Sequence, residues 1–171
     1  IEAPLTRIGW PYAAVDPRRI VGVVETDEPD GVAAFDAPDA VSARIADHVV
    51  RFLLGEMRAG RTPKEFLPVQ AGVGNIANAV LRGLGGHADV PPFFMYSEVL
   101  QDAVLDLLDE GKILGASTTA LTLTDAAQRR VAEGLERYAP RIVMRPQEVS
   151  NHPEVIRRLG LISLNAALEV D

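Results

Sequence analysis

Hydrophobic and polar positions change period several times along this chain. From Val41 to Ala59, apolar residues recur at Ile45, Val49, Phe52, Leu53 and Met57. That spacing predicts an amphipathic helix, closed by Gly60 with Pro63 beyond it. Before it, Ile20 to Glu25 (IVGVVE) is a β-branched run that predicts a strand, followed by a loop rich in Asp, Pro and Gly through Pro38. Residues 1–19 hold Pro4, Pro11 and Pro17 with no sustained period, and read as a linker or a wrapping segment.

After the long helix the pattern alternates. Strands are predicted at Phe66–Val69, Phe93–Ser97, within Ile113–Leu123, at Ile142–Met144 and at Leu161–Leu168. Helices are predicted at Gly74–Leu84, Leu100–Glu110, Asp125–Tyr138 and Pro153–Leu159. Short apolar runs alternating with amphipathic helices imply βαβ crossovers, so the expected fold class is α/β, an open and mostly parallel sheet flanked by helices.

Composition narrows the classes of function. With 17 basic against 24 acidic residues, the net charge is −7, and the acidic residues are scattered rather than bunched. Such a surface repels a polyphosphate backbone, which argues against general nucleic-acid binding. The absence of cysteine removes disulfides, thiolate metal sites and cysteine nucleophiles together. No apolar run reaches the roughly 20 residues that span a bilayer, so no membrane role is expected and a cytoplasmic setting is. At 171 residues, 47% of them apolar, the chain can bury one core. It opens on Ile1 rather than Met and stops at Asp171 directly after an apolar run, and is therefore read as part of a larger protein cut at both ends.

In an open parallel sheet, ligands meet the chain where strands give way to helices. Three such junctions are unusual. In Gln70-Ala71-Gly72-Val73-Gly74-Asn75, two glycines precede a helix. They permit a tight turn with a ligand close to the backbone, although an empty βα turn has the same sequence. In Tyr96-Ser97-Glu98-Val99, a carboxylate stands at a strand end, where it can be a charge partner of the helix N-terminus or a fixed nucleophile. In Arg145-Pro146-Gln147-Glu148-Val149-Ser150-Asn151-His152-Pro153, Asn151 can cap the next helix or donate to a developing oxyanion. His48, His87 and His152 show no metal-ligand spacing, so no metal is expected. Ser117, Thr118 and Thr119 read more simply as strand residues than as a ligand site. The first two junctions also satisfy a dinucleotide-binding template, with Gly72, Gly74 and Ala77 as G-x-G-x-x-A and Glu98 at the end of the next strand. The short, Pro68-interrupted strand before them weakens that reading, yet a non-catalytic NAD or nucleotide module stays open.

The stretches Gln70–Val80 (QAGVGNIANAV), Met95–Leu108 (MYSEVLQDAVLDLL), Arg141–Gly160 (RIVMRPQEVSNHPEVIRRLG) and Leu161–Asp171 (LISLNAALEVD) resemble the acetyl-CoA hydrolase/acetate CoA-transferase family of class I CoA-transferases. The resemblance covers most of residues 20–171. It implies two similar open α/β domains with the active site between them, of which this chain resembles the first part of the C-terminal one. It implies that Glu98 is the nucleophile, that Asn151 helps form the oxyanion hole, and that Gly72, Val73, Gly74 and Asn75 lie against the acyl-CoA thioester. Ser97 stands where many relatives have Thr. Coenzyme A is then a substrate, with no tightly bound cofactor, and acyl-CoA and small carboxylates are the expected small-molecule partners. The family's preceding N-terminal domain, and its further strand and glycine-rich loop after Asp171, lie outside this sequence. Alone, such an incomplete domain is expected to be inactive, and its exposed apolar surface would favour a homo-oligomer.

Overall fold

A computed structural model describes residues 1–10, 12–28 and 39–167. The loop read through Pro38 and the strand end read at Leu168 fall partly or wholly outside these residues. The elements follow in the order α1 (Ala40–Arg58), β1 (Val69–Ala71), α2 (Asn75–Gly86), β2 (Phe93–Tyr96), β3 (Val99–Leu100), α3 (Asp102–Asp109), β4 (Ile113–Thr118) and β5 (Ala120–Leu121). Then come α4 (Asp125–Glu133), α5 (Leu135–Tyr138), β6 (Ile142–Met144), α6 (Gln147–Ser150), α7 (Pro153–Leu159) and β7 (Ile162–Leu164). Five strands form one sheet in the order β6-β4-β2-β1-β7, every pair parallel. The small pair β3–β5 stands apart, also parallel.

The α/β expectation therefore holds, and the core explains why. Val69, Phe93, Met95, Ile113 and Ala116 from the strands are at most 2% exposed, and they pack with Leu81 and Leu84 of α2 and Leu105 and Leu108 of α3. Strands apolar on both faces suit a parallel sheet covered by helices. Helix α1 begins where the Asp39 carboxylate accepts the Ser42 N–H at 2.7 Å. It lies against α2, where Gly83 lets Ala46 and Val50 approach its backbone.

Several boundaries differ from the sequence reading. Ile20–Glu25 is not a strand: Val21, Val23 and Val24 are more than four-fifths exposed, and no described strand offers that run a ladder. β-Branched residues favour a strand only where a neighbour supplies the hydrogen bonds. β1 starts at Val69 rather than Phe66, because Phe66 takes a turn conformation (φ 61°) and Pro68 has no N–H for the ladder. The helix read as Asp125–Tyr138 breaks at Gly134 into α4 and α5. The face assigned to α1 is rotated: Ala46, Val50, Leu53 and Leu54 are buried, whereas Phe52 is 64% exposed. Helix α3 begins at Asp102, after the inserted two-residue strand β3.

Near the amino terminus, residues 3–7 lie across β4 and β6. The Leu5 side chain sits against Gly115, where an added Cβ would stand 2.6 Å from Leu Cδ1. Arg7 donates to the carbonyls of Ala139 and Ile142.

Candidate active site

Glu98 stands two residues beyond the end of β2, at the carboxyl edge of the sheet. It does not begin a helix, which corrects the strand-to-helix placement: β3 follows at once, and α3 opens four residues later. Its backbone is tied to the β4–β5 bend. The Glu98 carbonyl accepts the N–H groups of Thr119 (2.8 Å) and Ala120 (3.1 Å), and lies 2.9 Å from the Thr118 hydroxyl. The side chain is exposed. Its carboxylate accepts two carboxamide N–H bonds, one at each oxygen: Gln147 Nε2 to Oε1 at 3.0 Å and Asn151 Nδ2 to Oε2 at 3.1 Å. Residues 53 positions apart in sequence thus meet at one carboxylate.

Gln147 opens the short helix α6 and Asn151 closes it, one turn on, with the Asn151 N–H bonded to the Gln147 carbonyl at 2.8 Å. Their side chains reach the same point because residues one turn apart share a helix face. Asn151 does not cap the following helix; His152 does, its Nδ1 accepting from the Glu154 N–H at 3.3 Å, with Pro153 in the first turn. Asn151 is thereby left to Glu98. The sequence reading passed over Gln147. Its signal was the Gln147/Asn151 spacing, hidden because a four-residue helix leaves no hydrophobic period.

Buried contacts fix α6 against the sheet. The Tyr96 hydroxyl donates to the Val149 carbonyl at 3.1 Å, and the Arg145 N–H donates to the Thr118 carbonyl at 2.8 Å. The Arg145 side chain, 5% exposed, donates to Ser117 Oγ at 2.6 Å and to the carbonyls of Pro4 and Thr6, each at 2.7 Å. Burial pushes the Arg145 guanidinium below its ordinary range and the Tyr96 hydroxyl above its own. Ser117 and Thr118 are 1% exposed and spend their polar atoms on these internal bonds, as the strand reading of them requires.

The glycine loop joins β1 to α2. Gly72 donates to the Leu164 carbonyl at 2.9 Å, Val73 is exposed, Gly74 (φ 122°) precedes α2, and Asn75 is the first residue of that helix. Two bonds couple this loop to the Glu98 segment. Ser97 Oγ donates to the Ala71 carbonyl at 2.8 Å, and Gln101 Nε2 lies 3.4 Å from the Gly72 carbonyl. Among the described residues, the recorded bonds of the Glu98 carboxylate run to Gln147 and Asn151, not to this loop.

An open depression of about 260 Å³, lined by Gln147, Glu148, Asn151, His152 and Pro153, adjoins these amides. A larger cavity, about 650 Å³, lies between Arg7, Trp10, Tyr12 and Ala13 on one side and the α5–β6 edge on the other, and its lining does not include Glu98 or Asn151. Among the described residues no three His, Asp or Glu side chains cluster as a metal site, and no helix is long and apolar enough to cross a membrane.

A carboxylate exposed at a sheet edge, held by two amide donors and carried on a segment bonded to a glycine loop, is equipped for acyl chemistry. Known proteins bear on what that chemistry is. The chain is 52% identical over 167 residues to the propanoyl-CoA:succinate CoA transferase of Escherichia coli, a match spanning 98% of this chain and 34% of that protein. It is 42% identical over 165 residues to the acetyl-CoA hydrolase of Schizosaccharomyces pombe, across 96% of this chain and 32% of that one. Over nearly its whole length the chain is similar to acetyl-CoA hydrolases and CoA-transferases. It spans about a third of the length of these relatives. Among solved structures, 4-hydroxybutyrate CoA-transferase from Porphyromonas gingivalis superposes with a TM-score of 0.60 at 25% identity, over 86% of this chain and 36% of that one. RipA from Yersinia pestis shares the fold, with a TM-score of 0.60 at 20% identity over 82% of this chain and 31% of that one. No protein-family model matches the chain. These relatives do not favour the nucleotide-binding alternative.

Proposed function

We propose that the protein carrying this chain moves coenzyme A between small carboxylates, or from acyl-CoA to water, through a covalent thioester on Glu98. The observation that supports this most is the Glu98 carboxylate, solvent-exposed and held at both oxygens by the amides of Gln147 and Asn151.

A Glu98 oxygen attacks the thioester carbonyl carbon of acyl-CoA, and the carbonyl electrons move to oxygen. Collapse of that tetrahedral oxyanion breaks the C–S bond, leaving an acyl-glutamyl anhydride and CoA thiolate. The thiolate then attacks the Glu98 carboxyl carbon. The anhydride C–O bond breaks, the first acyl group departs as carboxylate, and Glu98 becomes a glutamyl-CoA thioester. An incoming carboxylate reverses both steps with its own acyl group; water in its place regenerates Glu98 and frees CoA. Carboxyl adducts suit this exchange because bonds of similar energy are traded at each step. Asn151, already on the carboxylate, is in reach of the oxyanion that forms there, a donor role that contributes roughly 3–4 kcal/mol at comparable sites. The loop Gly72–Asn75 would take the thioester end of the substrate, where glycine permits close approach. Residues 20–171 would form the first part of a C-terminal domain, the site being completed by a further strand and glycine-rich loop and by a preceding domain.

Treating the full-length protein with acetyl-CoA and then borohydride reduces a glutamyl thioester to an alcohol. The modification is expected on the peptide containing Glu98, and Glu98→Gln is expected to abolish turnover with the fold retained. A modification mapped to another residue would rule the reading out.

A further inference from the structure

Resting on the assignment of Glu98 as nucleophile, we propose that Gln147 is the positioning residue that keeps the Glu98 carboxylate aimed while Asn151 turns to the reacting oxygen. The two amides hold opposite oxygens of one carboxylate, Gln147 on Oε1 and Asn151 on Oε2. A carboxylate on a flexible two-methylene stem samples several rotamers, and an exposed one is not confined by packing. Here the confinement comes from the amides. As an oxyanion develops, the Asn151 N–H bonds are drawn to the new negative charge, and their hold on Oε2 weakens or is shared. Gln147 sits one turn earlier on the same short helix, with its carbonyl fixed by the Asn151 N–H. It can keep its bond to Oε1 through the whole step.

Two anchors make α6 stiff enough for this. Tyr96 holds the Val149 carbonyl in the middle of the turn, and Arg145 holds the chain just before it through Thr118 and Ser117. The Gln147 side chain itself is exposed, so its replacement removes a hydrogen bond without opening a cavity.

The full-length wild type, Gln147→Ala and Gln147→Glu would be compared for acetyl-CoA:succinate exchange between pH 5 and 8, with borohydride trapping at Glu98 in parallel. Gln147→Ala is expected to lower kcat roughly ten- to a hundredfold, the range for one hydrogen bond to a charged group. KM for acetyl-CoA should move by less than about threefold, because the lost bond orients the nucleophile and not the substrate. Gln147→Glu gives the sharper readout. A protonated carboxyl still donates to Glu98, whereas an ionised one repels it, so its activity relative to wild type should rise as pH falls. A merely structural role predicts a ratio that does not change with pH. Unchanged kcat in Gln147→Ala, or a flat ratio for Gln147→Glu, with Glu98 still trapped in the wild type, would overturn the role of Gln147 alone. A wild type that exchanges CoA without a trap on Glu98 would overturn the nucleophile and this role together.

Discussion

Thr118 holds the backbone of Glu98 in place: its hydroxyl lies 2.9 Å from the Glu98 carbonyl, while its own carbonyl accepts the Arg145 N–H at 2.8 Å. One buried residue at the end of β4 thus ties both halves of the site, the segment bearing the carboxylate and the segment bearing its amide partners. The hydroxyl shares its proton with the Ala120 carbonyl, also 2.9 Å away. Thr118→Val preserves shape and removes that proton. It should cost about 1–2 kcal/mol of stability, as for one buried hydrogen bond. It should also slow CoA exchange more than it weakens substrate binding. Urea unfolding and a kcat/KM comparison check both; a variant as stable and as fast as wild type would show that the two backbone donors to Glu98 suffice.

Some of this arrangement is legible in the sequence and some is not. The alternation of apolar runs and amphipathic segments carries the parallel sheet, because buried strands and helix faces must repeat at fixed periods. Element ends depend on residues that act one at a time. Pro68 delays β1 by withholding an N–H, and Gly134 divides a helix whose period continues through it. Ile20–Glu25 has the composition of a strand, but composition does not supply a neighbouring ladder. At the site, Glu98 and Asn151 each stand out as polar groups at junctions, yet nothing local says that residues 53 apart meet. Only resemblance paired them beforehand. Gln147 was missed because α6 is a single turn whose amide face has no apolar period to mark it.

Gly74 holds the loop open toward α2 with φ 122° and ψ 180°, a region that side-chain-bearing residues rarely enter. The space around its Cα is open, so the cost of Gly74→Ala lies in the backbone and not in a clash. About 1–3 kcal/mol of destabilisation is expected. Because relaxation would turn the N–H groups at the start of α2, KM for acyl-CoA should rise as well. A thermal melt and a KM measurement test the pair of effects; an alanine variant with wild-type stability would mean that the loop adopts another conformation at no cost.

Arg145 is a buried cation whose recorded partners are neutral oxygens: Ser117 Oγ on one side, and the Pro4 and Thr6 carbonyls on the other. Its planar fork reaches both sides at once, which a single ammonium nitrogen does not. Arg145→Lys is therefore expected to lose most of what Arg145→Met loses, about 2–4 kcal/mol with several acceptors left unpaired. Residues 1–10 should become the first site of proteolytic cleavage in both variants. Full stability in the lysine variant, measured by urea unfolding, would refute the fork as the reason for arginine here.

Acid should weaken the first helix through Asp39. The Ser42 N–H, donated to the Asp39 carboxylate at 2.7 Å, holds that carboxyl below the ordinary carboxylate pKa of about 4. A carboxyl depressed in the folded state binds its proton more readily when unfolded, so stability rises with pH across its titration. The contribution is complete above the unfolded value and drains away as pH falls through the folded one. Asp39→Asn keeps a capping oxygen with no titration. Wild type should thus be the more stable of the two at pH 7, with the difference closing as pH falls below the ordinary carboxylate value of about 4. Chemical unfolding of both chains at pH 7, 4 and 2.5 reads this directly. A difference that stays constant on acidification would show that the cap acts through shape alone and that the acid sensitivity of the fold arises elsewhere.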